Sequence, residues 1–367
     1  MLRYSMIPTC IFITAILLGC DQSATSSSGS NTIGEISPAQ VAEPMMPPNG
    51  ESDEVVVYTA LDRQFSEPIL DEFTKRTGIR VLAQYDTEAT KTVGLVNRIR
   101  AEKDRPRCDV FWNNEILNTL RLKNEQLLQP CDPEQGQFLP ETFRDMDKYW
   151  YGFAARARVL IVNTDVVKPE EMPDSIRDFA DPRWKGRTGL AKPLFGTTAS
   201  HAACLFALLG KEKATELLMS LKHNNVQIAG GNKTCAQMVS AGALAFGFTD
   251  TDDALIEMEE GKPVAIVFPD GGADQMGTLL LPNTLALVKG CPHPDAGKKL
   301  IDYLLSPEVE AGLAEGPSGQ IPLNSHTTTK SRVSKDTSIK HMNVDFARAA
   351  EAFSDTAEFI EKQFLAE

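Results

Sequence analysis

Two hydrophobic periods alternate along this chain from Glu54 onward, and that alternation limits the fold more than any other feature. Glu54-Val-Val-Val-Tyr-Thr-Ala60 reads as a buried strand. Phe65, Ile69, Leu70 and Phe73 then follow at helical spacing, and Gly78 stands where a helix end needs a left-handed residue. Ile79 to Tyr85 is a second strand, a polar helix carrying Val93, Val96 and Ile99 leads to the strand Asp109-Val-Phe-Trp112, and a further helix runs to Leu128. Beyond Trp150 the spacing predicts strands near Gly152–Asn163, Arg187–Lys192, Val226–Ala229, Leu244–Thr249 and within Val264–Phe268 and Gly277–Val288. Helices are predicted at Ala199–Leu209, Lys211–Lys222, Pro294–Leu305, Pro307–Glu315 and about Val344–Phe364. Such a pattern builds α/β layers. The stretch exceeds the roughly 250–300 residues that one core serves, so two lobes are expected, with a ligand cleft where strand ends and helix N-termini converge.

The N-terminus does not fit that body. After Arg3 an apolar run from Cys10 to Leu18 ends in Leu17-Leu18-Gly19-Cys20 and turns abruptly polar, the layout of an export signal too short to span a bilayer as a mature helix. These four residues resemble the lipobox of bacterial lipoproteins, which implies cleavage after residue 19 and a lipid on Cys20. Residues 20–53, rich in Ser, Gly, Pro and Asn, then read as a flexible tether.

The formal charge of −13 leaves little to neutralise phosphates, so nucleic acid is not an expected partner. Past the tether the cysteines are Cys108, Cys131, Cys204, Cys235 and Cys291, an odd number without a C-x-x-C pair, which gives zinc or thioredoxin-like chemistry little support. Disulfides Cys108–Cys131 and Cys204–Cys235 are one expectation for an exported protein, and five unpaired buried thiols are the other.

With those residues laid out, the body from Val55 to Phe364 resembles family 1 extracellular solute-binding proteins, in the branch of periplasmic ferric-iron-binding and organophosphonate-binding proteins. The likeness rests on Val-Val-Val-Tyr-Thr-Ala near the start, Phe73-Thr-Lys-Arg-Thr-Gly-Ile-Arg-Val81, Cys108-Asp-Val-Phe-Trp112, Phe153-Ala-Ala-Arg-Ala-Arg-Val159, Phe179-Ala-Asp-Pro-Arg-Trp-Lys-Gly186 and Gly319-Gln-Ile-Pro-Leu-Asn324. It implies a type II periplasmic-binding fold with an interlobe cleft, residues 54–151 and 277–324 forming one lobe and 152–276 and 325–367 the other. It also implies a monomeric, non-enzymatic carrier, a membrane-tethered lipoprotein in the periplasm or at the cell surface. That carrier would deliver a small-molecule or metal-ion solute to the permease of an ABC transporter, with no cofactor and with Fe(III) as transported ligand.

In the ferric branch two adjacent tyrosines, a His near the first strand and a carboxylate after the Asp-Val-Phe strand hold the metal. Phenolate and carboxylate are hard donors suited to Fe(III). Here Asp252 and Asp253, in Phe248-Thr-Asp-Thr-Asp-Asp-Ala254, stand in the tyrosine places, Asp62 near the His, and Asn114 or Glu115 near the carboxylate. Asp252 and Asp253 are therefore the candidate metal ligands, or partners for a ligand ammonium. Phe195-Gly-Thr-Thr-Ala-Ser200 and Gly230-Gly-Asn-Lys-Thr234 each lead into a helix, so Thr197, Thr198, Asn232 and Thr234 can face an anion or simply cap those helices. Arg156 and Arg158 fall on one face of a strand and would clamp an anion or brace the acidic loop. Thr90-Lys-Thr92 is expected to cap a helix, and His201, with no His at i+4, to belong to the core. An aminoalkylphosphonate or other zwitterion fits these substitutions as an alternative solute. A secreted hydrolase finds no G-x-S-x-G, H-E-x-x-H or S-x-x-K constellation.

Overall fold

The computed structural model describes residues 53–86, 92–334 and 339–366; Cys20, its tether up to Ser52, Thr90 and Lys91 lie outside them. The elements alternate as the hydrophobic periods require: β1 (Glu54–Thr59), α1 (Arg63–Thr77), β2 (Arg80–Tyr85), α2 (Val93–Ala101), β3 (Val110–Asn113), α3 (Ile116–Asn124), β4 (Leu128–Gln129) and the long β5 (Tyr151–Asn163). Then come β6 (Thr188–Ala191), α4 (Gly196–Leu209), α5 (Lys211–His223), β7 (Gln227–Ala229), α6 (Asn232–Ser240), β8 (Phe246–Asp250), α7 (Thr251–Glu259) and β9 (Val264–Val267). The last are β10 (Leu280–Val288), α8 (Pro294–Leu304), α9 (Pro307–Glu315) and α10 (Phe346–Phe359). Gly78 ends α1 at φ 74°, with its N–H on the carbonyl of Thr74, as its lack of a Cβ allows.

Strand order is β2-β1-β3-β10-β5-β8-β6-β7, with β4 added on β10 and β9 on β5. The thirteen residues of β5 are all buried and change partner midway. Tyr151 to Ala157 pair with β10, whereas Arg158 to Val162 pair with β8 and Leu160 to Asn163 with β9. Ala154, at φ 42°, sits beside the register shift between Leu281 and Asn283, which marks the bulge where the strand re-aims. Further along, Gly189 and Gly247 are cross-strand neighbours in β6 and β8. A Cβ on Gly247 would come within 2.6 Å of Cys235 Sγ, so glycine lets α6 lie directly on this part of the sheet.

Several boundaries differ from the sequence reading. The helix expected to reach Leu128 stops at Asn124, because Leu128 and Gln129 pair with β10 instead. The strand expected from Gly277 starts at Leu280; Gly277 is at φ 86° and Thr278 bridges His341. The terminal helix passes from α to a π turn at Ile360–Phe364. No disulfide forms among the described residues: Cys108, Cys131, Cys204, Cys235 and Cys291 are free and buried, so neither expected bridge is present. Burial pushes the thiols of Cys131 and Cys235 up to about 12, which keeps them protonated and unreactive.

Helix α10 carries its apolar stripe onto α3 and α4. Phe359 stacks near Phe206 of α4 at 5.5 Å, and the Arg121 guanidinium of α3 lies 4.7 Å from the Phe353 ring. Among the described residues no helix is long and apolar enough to cross a membrane.

Candidate functional site

The change of partner along β5 puts Arg156 and Arg158 among three helix starts. β8 ends on Asp250, the N-cap residue of α7, whose first turn carries Asp252 and Asp253. The first turn of α4 brings Thr197 and Thr198, and α6 opens on Asn232. Helix N-termini present unpaired N–H groups and partial positive charge, so an acidic first turn on α7 is locally favourable.

Asp250, 1% exposed, is the hub. It accepts hydrogen bonds from Arg158 Nη1 at 2.7 Å, Arg156 Nη1 at 3.2 Å, Thr197 Oγ1 at 2.6 Å and Asn232 Nδ2 at 3.0 Å. Arg158, fully buried, also donates to Asn232 Oδ1 at 3.1 Å and to the hydroxyls of Thr197 and Thr198 at 3.2 Å, its guanidinium lying 4.6 Å from the centre of the Phe248 ring. Arg156 Nη1 reaches Asp252 Oδ2 at 3.4 Å as well, and its Nη2 donates to the backbone oxygen of Asn114. Burial alone would raise the Asp250 carboxyl; the guanidiniums of Arg158 and Arg156 outweigh it and hold the group below the usual carboxylate range. For Arg156 burial works the other way, and Asp252, Asp250, Asp253 and Asp62 together keep it charged.

Oxygens of Asp250, Asp252 and Asp253 lie within 4.8 Å of one another, the spacing at which three carboxylates can share one hard cation. Phenolates of the described residues do not join them. Tyr58 donates to Glu102, Tyr151 to the Cys131 carbonyl, Tyr85 lies beneath Arg63, Tyr149 beside Lys123 and Tyr303 against Phe73.

Most of the residues expected from sequence come into this one network: Arg156, Arg158, Thr197, Thr198, Asn232 and Asp252, with Asp253 and Asp62 near enough for their charges to act on Arg156. Thr234 stands apart from this network. It is exposed on α6, and no hydrogen bond ties it to the cluster among the described residues. Thr197 and Thr198 give their hydroxyls to Asp250 and Asn232 rather than standing open as an anion cradle. Glu115 is the N-cap of α3, accepting from the N–H groups of Leu117 and Asn118, and it also takes the Ser200 hydroxyl of α4 at 2.7 Å. Asn114 beside it is buried, and its Oδ1 has no hydrogen-bond partner among the described residues. Asp250 and Ser200 are what sequence reasoning ranked too low: Asp250 faces Arg158 only through the β5–β8 register. A cavity of about 580 Å³ opens among Lys103, Arg107, Cys108 and Lys289, at the opposite end of β3, and includes none of the cluster.

His201 of α4 is 4% exposed, its ring 4.9 Å from that of Phe248, and it borders a cavity of about 30 Å³ with Thr198. Burial, and next the Arg158 charge, push its imidazole down to about 3. The folded protein thus keeps His201 neutral while the unfolded chain protonates near 6.5, so stability falls as pH drops from 6.5 toward 3. Between about pH 6.5 and 4.5 the loss from this residue is about 2–3 kcal/mol. Urea titrations at those two pH values should show it, and His201→Phe should flatten the difference. An unchanged pH dependence in that variant would remove the assignment.

Continuous sheet, partner-switching strand and helix starts gathered on a polar cluster define a type II periplasmic-binding fold. The model of the family described as bacterial extracellular solute-binding protein matches residues 118–350, and the chain belongs to that family. It is similar to the iron uptake protein A1 of Synechocystis sp., 27% identical over 303 residues that cover 78% of this chain and 82% of that one. It is likewise similar to the major ferric iron-binding protein of Neisseria meningitidis serogroup A, 25% identical over 75% of this chain and 82% of that protein. Among solved structures, the apo ferric ion-binding protein A of Pasteurella haemolytica superposes with a TM-score of 0.76 at 23% identity, covering 86% of this chain and all of that one.

Proposed function

We propose that this chain is the solute-capturing component of an ABC importer, a lipoprotein tethered through Cys20 outside the cytoplasmic membrane, and that its solute is ferric iron. It works as a monomer and catalyses no reaction. The iron relatives support the solute; the observation that carries the reading is the set of Asp250, Asp252 and Asp253 oxygens within 4.8 Å of one another, hard donors at one point beside the β5 changeover. The lobes meet there, residues 54–151 and 277–324 on one side and 152–276 and 325–367 on the other, with α10 braced on both α3 and α4. Capture buries the solute between them and presents the closed form to a permease.

The test is calorimetry with ferric citrate on protein purified without refolding, together with native mass spectrometry for a co-purified solute. Saturable one-to-one binding is expected, and because no tyrosine among the described residues contacts the cluster the complex should lack the visible colour of iron bound to phenolate. A red complex, or no binding, overturns the reading. One observation favours a second solute: guanidiniums and carboxylates alternate within hydrogen-bond distance, which suits a zwitterion such as an aminoalkylphosphonate. Tight binding of aminoethylphosphonate with loss of affinity for its des-amino analogue would establish that solute instead.

A further inference from the structure

The cavity of about 580 Å³ at the other end of β3 has a chemistry unlike that of the acidic cluster. Its floor is apolar, with Ile99, Leu127, Val288 and the buried Cys108, whose thiol donates to the Val110 carbonyl. Its rim carries Lys103, Arg107 and Lys289, all exposed, and their side chains make no hydrogen bond, ion pair or ring contact among the described residues. The basic residues behind the rim are already paired. Arg98 holds Glu102, which also takes the Tyr58 hydroxyl, and Arg100 holds Glu125. Asp104 is the other carboxylate of the lining, exposed at the rim. Backbone bonds fix the mouth: the Lys289 N–H donates to the Leu127 carbonyl at 2.9 Å, and the Arg105 N–H to that of Glu102 at 2.9 Å. At a formal charge of −13 the chain as a whole is repelled by an anionic surface, so three unpaired cations around one hollow are the exception to its field.

Position supplies the second argument. The Val56 N–H donates to the Asp109 carboxylate at 2.7 Å and the Asp109 N–H to the Val56 carbonyl at 2.9 Å. The start of β1, where the chain enters the body, therefore lies at the same end of the sheet as this mouth. A lipid anchor holds a protein near the bilayer without fixing which face turns toward it, and a basic patch is the complementary signal.

We propose that Lys103, Arg107 and Lys289 dock the carrier on its own membrane by binding the phosphate of an anionic phospholipid headgroup, the apolar floor accepting the glycerol carbons beside it. This rests on the reading that Cys20 carries a lipid. Ammonium and guanidinium groups make charge-assisted hydrogen bonds to phosphate, and each basic side chain at an anionic leaflet is worth about fivefold in partition.

The experiment uses the full, lipid-bearing chain in nanodiscs of phosphatidylcholine alone and of phosphatidylcholine with about 30% phosphatidylglycerol, whose surface is anionic. Lysine acetylation by acetic anhydride, an uncharged reagent, is followed by mass spectrometry. Lys103 and Lys289 should react at least about fivefold more slowly in the anionic discs, and salt at about 0.5 M should remove the difference by screening. Lys211 and Lys213 on α5, exposed and outside the mouth, report the general surface potential and should change by less than about twofold. Arg107→Glu should return Lys103 and Lys289 to within about twofold of their rates in neutral discs, whereas Arg107→Lys should keep them protected. Equal rates in the two discs, or equal slowing at all four lysines, overturns the proposal. Protection in neutral discs by millimolar glycerol 1-phosphate, equal to that in anionic discs, makes the mouth a soluble-anion site and overturns membrane docking. A chain that enters neither disc overturns the Cys20 reading and this proposal with it.

Discussion

Replacing Asp250 by alanine lowers the unfolding free energy by about 3–5 kcal/mol, the scale for removing one partner of a buried ion pair. The magnitude follows from what is left behind. Arg158, with no exposed surface, loses its 2.7 Å partner; Arg156 keeps its bond to the Asn114 backbone oxygen and the longer contact with Asp252; Thr197 and Asn232 lose their common acceptor. The residual cost is that of two guanidiniums held in low dielectric, rather than the worth of one hydrogen bond. Asp250→Asn separates these contributions, because it keeps the volume and one acceptor oxygen while removing the charge. The pH dependence has a definite sign. Since the folded carboxyl sits below its unfolded value of about 3.9, the stability it contributes is fully present above that value and is lost as pH falls through and below it. Wild-type protein should therefore lose stability more steeply below about pH 4 than the Asp250→Asn variant. Urea unfolding of the three proteins at neutral pH and at about pH 3.5 measures both effects. A loss under about 1 kcal/mol for Asp250→Ala would mean that water reaches the arginines and that the cluster is not the buried hub described here.

How much of this arrangement is legible in the chain depends on whether it is local. The alternation of periods places nearly every element, since a strand or an amphipathic helix is encoded within its own window. Gly78 is readable as a helix stop for the same reason, and so is the grouping of Arg156 and Arg158 on one strand face. What fails is what needs register. Asp250 lies at the end of an apolar strand and is adjacent to Asp252 and Asp253, which hold the motif positions; only the pairing Arg158↔Asp250 shows which carboxylate is the anchor. Leu128 continues a helical apolar pattern but is taken by β10, because a ladder hydrogen bond to a distant strand outweighs the propensity of one turn. Cysteine spacing cannot give proximity, and the two bridges expected from predicted element ends do not form. Thr234 satisfies the sequence pattern of a helix start yet stays outside the cluster's hydrogen bonds, whereas Asn232, two residues earlier, makes them.

Glu310 shows the same limit in its sharpest form and carries the second large effect. In sequence it is an acidic residue in the first turn of α9, where the helix dipole favours a carboxylate, and that local reading calls for nothing more. In the fold it is fully buried and serves as a common acceptor for three backbone N–H groups and a hydroxyl: Ala154 at 2.7 Å, Leu323 at 2.9 Å, Asn324 at 2.7 Å and Thr327 Oγ1 at 3.1 Å. Ala154 is the φ 42° residue at the bulge of β5, so the carboxylate also holds the strained backbone from which Arg156 is displayed two residues later. Glu310→Ala orphans four donors at once, two of them buried and two partly buried, and at about 1–3 kcal/mol each, partly recovered by relaxation and entering water, the expected loss is about 3–5 kcal/mol. Burial raises the Glu310 carboxyl more than those donors lower it. The folded protein therefore holds this proton more tightly than the unfolded chain, and wild-type stability carries a component that declines as pH rises from about 4.3 through the raised folded value. The alanine variant should lose that decline along with its stability. Hydrogen exchange gives a local check, since the amides of Ala154, Leu323 and Asn324 should lose protection while those of β1 and β3 keep it. A variant that loses less than about 1 kcal/mol and keeps those three amides protected would show that other groups hold the bulge and that Glu310 is dispensable there.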